Sequence, residues 1–291
     1  MSEHAAQVGH QPEVLALLRL GDGSWPDIAR RLRHGTKPVE IAGALGLAGG
    51  SLFSDDPWDE AVGAARNQLE EWREEGISVT TADDPRYPAR LDVVRTLPPV
   101  LWTRGIADAK DGAGVAVVGS RRASQEALNA AAEFSEQLAS KGVPVISGLA
   151  AGIDTAALRA ALAASGRVVG VIGTGIHRAY PSENADLQRA VADHGLLISQ
   201  FWPDAAPTKY TFPIRNELMA GWSAVTLVMQ ADARSGARLQ ARVAIEQGRK
   251  VLLYEPVMGH EDWAKKYVAD GTAMWVTDAA EVLGELHRGV G

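Results

Sequence analysis

From Gly114 onward the chain alternates short apolar runs with longer Ala-rich stretches, and few folds accommodate that rhythm. The runs are VAVVGS, VPVISG, VVGVIGTG, LLISQF, AVTLVMQ and KVLLYE. Between them lie QEALNAAAEFSEQLASKG, DTAALRAALAASG, NADLQRAVADHG, IRNELMAGWS and ARLQARVAIEQG. The runs lack polar alternation, as expected of strands buried on both faces, and the intervening segments carry apolar residues at helical spacing. Strand–helix repetition implies right-handed crossovers and a parallel sheet. The predicted class is therefore α/β, an extended Rossmann-like parallel sheet over residues 114–291. A last strand at AMWVT and a helix capped by Asp278 close it.

Residues 1–78 read as a small helical module. SWPDIARRL offers Ser24 as a helix cap, KPVEIAGALGL forms a second helix, and DPWDEAVGAARNQLEEWREEG forms a third, opened by Asp55 or Asp56 and closed by Gly76. A helix-turn-helix would also place two helices here. The segment holds no clear cationic recognition face, which favours a packing module. Residues 79–113 are expected to form an extended arm with a short strand at VLWTRG, because Pro85, Pro88, Pro98 and Pro99 forbid a continuous helix.

In such a sheet the ligand belongs at the carboxyl ends of the strands. There the chain places GSRRAS, SGLAAGID, GTGIHRAYPSEN, FWPDAAPTKYTFPIRN and ADARSGAR, in order. Glycine lets backbone approach a ligand, and helix N-termini offer free N–H groups and partial positive charge, which together make anion sites. Arg121, Arg178, Lys209, Arg215 and Arg238 add full charges. Tyr180, Trp202, Tyr210 and Phe212 are suited to stacking bases or to plugging loops. A rim with several anion turns suits a ligand with several phosphates. Gly148 and Gly152 are expected to let their turn wrap an anion, and Asp154 to cap the following helix and to hold the loop in shape by accepting from backbone N–H groups of its own turn. Arg121 is expected to point inward and Arg122 toward solvent.

Several function classes are excluded. No G-x-x-x-x-G-K-[ST] loop is present, Arg178 occupies the third glycine's place in GTGIHRAY, and no G-x-S-x-G elbow occurs. The seven histidines are scattered and cysteine is absent, so neither a metal nor a disulfide is expected, and no cofactor. No apolar run approaches a membrane span, and the N-terminus lacks the cationic start and apolar core of a signal peptide. A cytoplasmic protein without membrane contact is expected. The net charge of −7 argues against a generally basic surface but leaves room for a local basic groove.

The turns DDPRYPARL, LPPVLWTRG, VAVVGSR, VISGLAAGID, GTGIHRAYPSEN, LLIS, FPIRN, SGARLQARVAIEQGRKVLLYE and DGTAMWVT, in this order over residues 80–285, resemble the DNA-processing protein A (DprA, or Smf) family. The resemblance implies an extended Rossmann fold and binding of single-stranded DNA without strong sequence preference. It also implies a homodimer that hands the strand to a RecA-type recombinase during natural transformation, with no enzymatic step. Matching positions imply phosphate contacts at Gly119, Ser120, Arg121, Ser147, Gly148, Gly152, Asp154, Lys209, Arg215 and Asn216, and the rim glycines Gly173 and Gly175 join them as expected phosphate-binding residues. The chain departs from the family pattern at Ser182, where a Lys is usual. Gln200 stands for the Glu of Ser-Glu, and Glu217 for the last Arg of Arg-Asn-Arg. Gln230 stands for a Glu, and Leu239-Gln240-Ala241 for Leu-x-Thr-Ala. The winged helix frequent in the family is not expected. Two cations fewer should weaken DNA binding. The competing expectation is a Rossmann-type sensor or hydrolase of a nucleotide-derived small molecule. Hydrolysis fits less well, because Gly173-Thr174-Gly175 lacks the P-G-G-x-G-T pattern of such hydrolases.

Overall fold

A computed structural model describes residues 9–48 and 56–288. The chain divides into two compact units at Thr103/Arg104.

The first unit contains helices α1 (Gln11–Leu20), α2 (Trp25–Arg33), α3 (Pro38–Ala44) and α4 (Pro57–Glu74), then strands β1 (Ile77–Thr81) and β2 (Val100–Gly105), β2 ending across the division. The unit thus takes in most of the stretch expected as an arm. Each helix carries a proline in its first turn, where the missing N–H costs nothing. Asp56 caps α4 by accepting from the Trp58 N–H; Asp55, the other candidate, lies outside the described residues. Ser24 occupies the cap position of α2 without a side-chain cap bond. Helix α1, which the sequence pattern did not single out, buries Val14 to Leu18.

The second unit carries strands β3 (Val115–Gly119), β4 (Val145–Ser147), β5 (Val168–Val171), β6 (Leu196–Ser199), β7 (Val225–Gln230), β8 (Lys250–Tyr254) and β9 (Met274–Val276). Within the unit their order is β6-β5-β4-β3-β7-β8-β9, and the registered pairs are parallel. Helices α5 (Gln125–Ser140), α6 (Ile153–Ala163), α7 (Ala185–His194), α8 (Thr211–Trp222) and α9 (Gly236–Glu246) connect them, and α10 (Glu255–Met258), α11 (Asp262–Ala269) and α12 (Ala279–His287) follow. The Rossmann-like expectation is met strand for strand. Val115 to Val118, Val145 to Ser147 and Val168 to Val171 are buried throughout, as two-sided burial requires. Asp278 caps α12 through the Glu281 N–H, as read from the sequence. Helix α11 was not anticipated.

The strand order fixes where a ligand can sit. From β3 the chain moves through β4 to one side and later returns to place β7 on the other. The crevice beyond the carboxyl ends of β3 and β7 is the topological switch point, the place where open α/β sheets accept ligands.

Candidate nucleic-acid interface

A cleft of about 320 Å³ opens at that switch point. The end of β3 and the loop after it supply Gly119, Ser120, Arg121 and Arg122, and the loop after β7 with the first residue of α9 supplies Asp232, Ser235 and Gly236. Asp154 from α6, Phe212, Arg215 and Asn216 from α8, and Ala237 from α9 complete much of the wall. The first turns of α6, α8 and α9 therefore converge on one cavity, which concentrates N–H groups and positive dipole ends.

Six of the residues expected at the site line this cleft: Gly119, Ser120, Arg121, Asp154, Arg215 and Asn216. Gly148 lines a smaller adjoining pocket of about 70 Å³ with Arg121, Tyr180, Pro181 and Phe212. Ser147, Gly152, Gly173, Gly175 and Lys209 do not line the main cleft. The Ser147 hydroxyl is buried and donates to the Val117 carbonyl at 2.7 Å, tying β4 to β3. Lys209 is exposed, with its ammonium 5.0 Å from the Tyr210 ring centre. Arg178 donates to the Asp204 carbonyl at 2.6 Å. Arg122 lines the cleft alongside Arg121, so the expected contrast between the two directions is not what the fold produces.

The glycines answer mainly to protein neighbours. A Cβ on Gly148 would stand 2.6 Å from Nη2 of Arg215 and closer still to Nη1. Gly152 has φ +80° and ψ −124°, a conformation open to glycine, and a Cβ there would lie 2.9 Å from the Arg121 carbonyl carbon and nearer to the Ser120 oxygen. On Gly173 a Cβ would reach the Phe212 ring at 2.8 Å, and on Gly175 it would run into the Trp202 and Pro203 carbonyls. The loops pack on one another, and the absence of side chains is what lets them.

Asp154 corrects the capping expectation. Gly152 holds the cap position of α6, and Asp154 sits in the first turn. Its carboxylate reaches back and accepts from the Gly148 N–H at 3.0 Å and the Ala150 N–H at 3.4 Å, which fixes the SGLAAGID loop as expected. The side chain is 4% exposed. Burial pushes its carboxyl above the usual carboxylate range, opposed by the Arg215 charge, the two N–H donors and the Ser147 hydroxyl. Arg215 is 5% exposed and donates from Nη1 to the Gly148 and Val171 carbonyls, both at 2.7 Å, and from Nε to Asn216 at 3.0 Å. It is the cationic floor of the cleft more than a free arm. Asn216 in turn donates to the Gly236 carbonyl at 3.2 Å, tying α8 to the start of α9.

Arg121 at the rim is exposed, its guanidinium 5.3 Å from the Phe212 ring centre. Phe212 also meets Tyr180, ring centres 5.4 Å apart. Arg121, Phe212 and Tyr180 thus form one ledge, with both a guanidinium and aromatic faces. Asp232 is the acid of the β7 side, its Oδ1 occupied by the Arg234 N–H at 2.8 Å.

Of the departures from the family pattern, Gln240 lines the cleft, while Ser182, Gln200, Glu217 and Gln230 do not. The Gln230 amide oxygen accepts from the Ser124 N–H at 2.8 Å and so anchors the cap of α5. Glu217 is 6% exposed on α8, Gln200 is 2% exposed after β6, and Ser182 is exposed with its hydroxyl near Glu183. Among the described residues no group of three His, Asp or Glu side chains is placed to hold a metal, and no helix is long and apolar enough to cross a membrane.

Residues 78–287 match the profile of the DNA recombination-mediator protein A family. The chain belongs to that family. It is 36% identical over 187 residues to Protein Smf of Synechocystis, 33% identical over 197 residues to DNA processing protein DprA of Bacillus subtilis, and 35% identical over 206 residues to DprA of Streptococcus pneumoniae. The matches cover 63%, 66% and 70% of this chain and 47%, 66% and 72% of those relatives. The chain therefore spans less than two thirds of the first two. The crystal structure of the S. pneumoniae DprA superimposes with a TM-score of 0.76 at 26% identity, covering 96% of this chain and 99% of that one. A DprA from Helicobacter pylori, described for its single-stranded DNA binding mode, shares the fold at a TM-score of 0.63 and 24% identity over 73% of this chain and 96% of that one.

Proposed function

We propose that this chain binds single-stranded DNA in the β3/β7 cleft and mediates its handover to a recombinase, in natural transformation or a related process, without catalysing a reaction itself. One observation carries the proposal: at the topological switch point three guanidinium groups and the first turns of three helices surround one cavity, beside a Phe212–Tyr180 ledge. Phosphates suit the N–H groups and arginines, and bases suit the ring faces. Membership of a recombination-mediator family supports the same function. Action as a cytoplasmic homodimer belongs to this proposal, as does contact with a RecA-type partner. The residues proposed to meet phosphate are Ser120, Arg121 and Arg122, with Arg215 and Asn216 beneath them and Gly119 letting Ile153 pack behind the loop. Ser182 and Glu217 in place of cations should make the affinity modest.

Fluorescence anisotropy with labelled single- and double-stranded oligonucleotides at two salt concentrations tests the proposal. Single strands should bind more tightly, with a salt slope near −0.7 per phosphate engaged. Equal or tighter duplex binding would refute it. The cavity volume also falls in the range of small-ligand pockets, which favours a second function as a nucleotide sensor. In that case free nucleotides should bind directly and with little salt dependence.

A further inference from the structure

A second cleft, of about 310 Å³, opens on the other side of the β7–α9 loop. It is lined by Ala233, Arg234, Ser235, Arg238, Arg242 and Tyr267. Three arginines line it: Arg238 and Arg242, one turn apart on the same face of α9, and Arg234 in the loop just before the helix. Arg234 and Arg242 are exposed. Arg238 is held in place: its Nη1 donates to the Ala233 carbonyl at 2.7 Å and its guanidinium lies 5.7 Å from the Trp263 ring centre. Glu246 lies 3.5 Å from Arg242, and Asp232 lines the first cleft. Tyr267 packs against Trp263 with ring centres 5.4 Å apart and offers an aromatic wall.

One loop borders both clefts. Asp232, Ser235 and Gly236 face the first, while Ala233, Arg234 and Ser235 face the second, so Ser235 borders both. A polyanion leaving the first cleft across Ser235 meets the arginine face next. A cation row, an aromatic wall and a shared border are what a nucleic-acid strand needs to continue along a surface.

We infer that Arg234, Arg238 and Arg242 form a second phosphate subsite, which takes the segment of a single strand beyond the nucleotides held in the β3/β7 cleft. The inference rests on the proposed single-strand function and extends it to a defined path.

The test compares oligothymidylates of about 6 and about 16 nucleotides, the range over which single-strand sites are filled. The longer probe should bind the unaltered protein more tightly than the shorter. In the Arg234→Ala/Arg238→Ala/Arg242→Ala variant the long-probe affinity should fall about tenfold or more, and its salt slope should flatten by about 0.7 for each phosphate released. Short-probe affinity should stay within about twofold. The Arg234→Lys/Arg238→Lys/Arg242→Lys variant should keep most of the long-probe affinity, which separates lost charge from lost folding. An alanine variant that binds the long probe as the unaltered protein does, or loses both probes equally while the lysine variant does the same, would overturn the inference. The proposed function fails differently: there, neither probe binds the unaltered protein, or Arg121→Ala leaves both affinities unchanged.

Discussion

Two glycines with positive φ separate backbone strain from loop packing. Gly142 (φ +72°) follows α5 with nothing within 4 Å of the position a Cβ would take. Gly152 (φ +80°) precedes α6 with that position 2.9 Å from the Arg121 carbonyl carbon and nearer to the Ser120 oxygen. Alanine at either site gains the same small amount from a restricted unfolded chain, so that contribution cancels in the comparison. At Gly142 the remaining cost is left-handed backbone alone, about 1–2 kcal/mol. At Gly152 the backbone lies in a glycine-only region, and the methyl group must also push the 120–121 loop outward against the Ile153 N–H, which donates to the Ser120 carbonyl at 3.3 Å. Strain and overpacking together amount to about 2–6 kcal/mol. Urea unfolding should therefore rank Gly152→Ala well below Gly142→Ala. Hydrogen exchange should place the added opening in β3, the 119–124 loop and the start of α6, and oligonucleotide binding should fall with it because Arg121 moves. Equal stability losses in the two variants would refute the claim that Gly152 serves loop packing.

Further outcomes follow from the same geometry. Arg121→Ala should weaken binding of a single-stranded oligonucleotide by about 1.5–3 kcal/mol, the range for a charged hydrogen bond, measured by anisotropy. Phe212→Ala should cost about 1–3 kcal/mol of the same affinity through lost stacking, and an unchanged affinity would remove the ledge from the site. Asp154→Ala strands the Gly148 N–H and the Arg215 charge, and should destabilise by about 3–5 kcal/mol, whereas Asp154→Asn keeps an acceptor and should lose less; equal losses in denaturant titration would assign the whole effect to charge. In the first unit, burial pushes the Asp84 carboxyl up, but the Arg86 guanidinium and backbone N–H outweigh it and hold the carboxyl below its usual value of 3.8. The unfolded chain then binds the proton first on acidification, so stability contributed by Asp84 is present above about pH 4 and is lost as pH falls below it. Asp84→Asn should flatten the acid limb of the stability–pH curve.

The fold was legible because its signals are local and repeated. Each strand of the second unit is an apolar run too short for a helix, and each is followed by an alanine-rich segment of helical period, so β3 to β8 could be placed from the sequence with small boundary errors. Helix α11 was missed because WAKKYVAD is short and gains its burial from Trp263 against the β7–α9 region, a contact no window of sequence contains. Strand β1 was hidden by its setting just ahead of a proline-rich segment.

The site was half legible, for a reason that bears on how such turns work. Sequence shows that glycines, an Asp and arginines gather at the strand ends. It does not show which of them face outward. Gly148 is small because Arg215 lies against it, Gly152 because the Ser120–Arg121 backbone crosses it, and Gly173 because Phe212 covers it. The loop SGLAAGID thus spends its glycines and its Asp on holding the neighbouring loop and a buried arginine in position. That division suits a polyanion. A phosphate bound by N–H groups and guanidinium needs donors that do not reorganise on binding, and a loop fastened by Asp154 and Arg215 has lost its freedom before the ligand arrives. Exposed Arg121 and Arg122 then require no further ordering of their backbone. On this view the buried Asp154–Arg215 pair acts on affinity through the fixed loop, and the rim arginines act on it directly. Variants of the two kinds should accordingly differ in salt dependence: the rim variants flatten the slope, while the buried-pair variants lower affinity with the slope nearly unchanged.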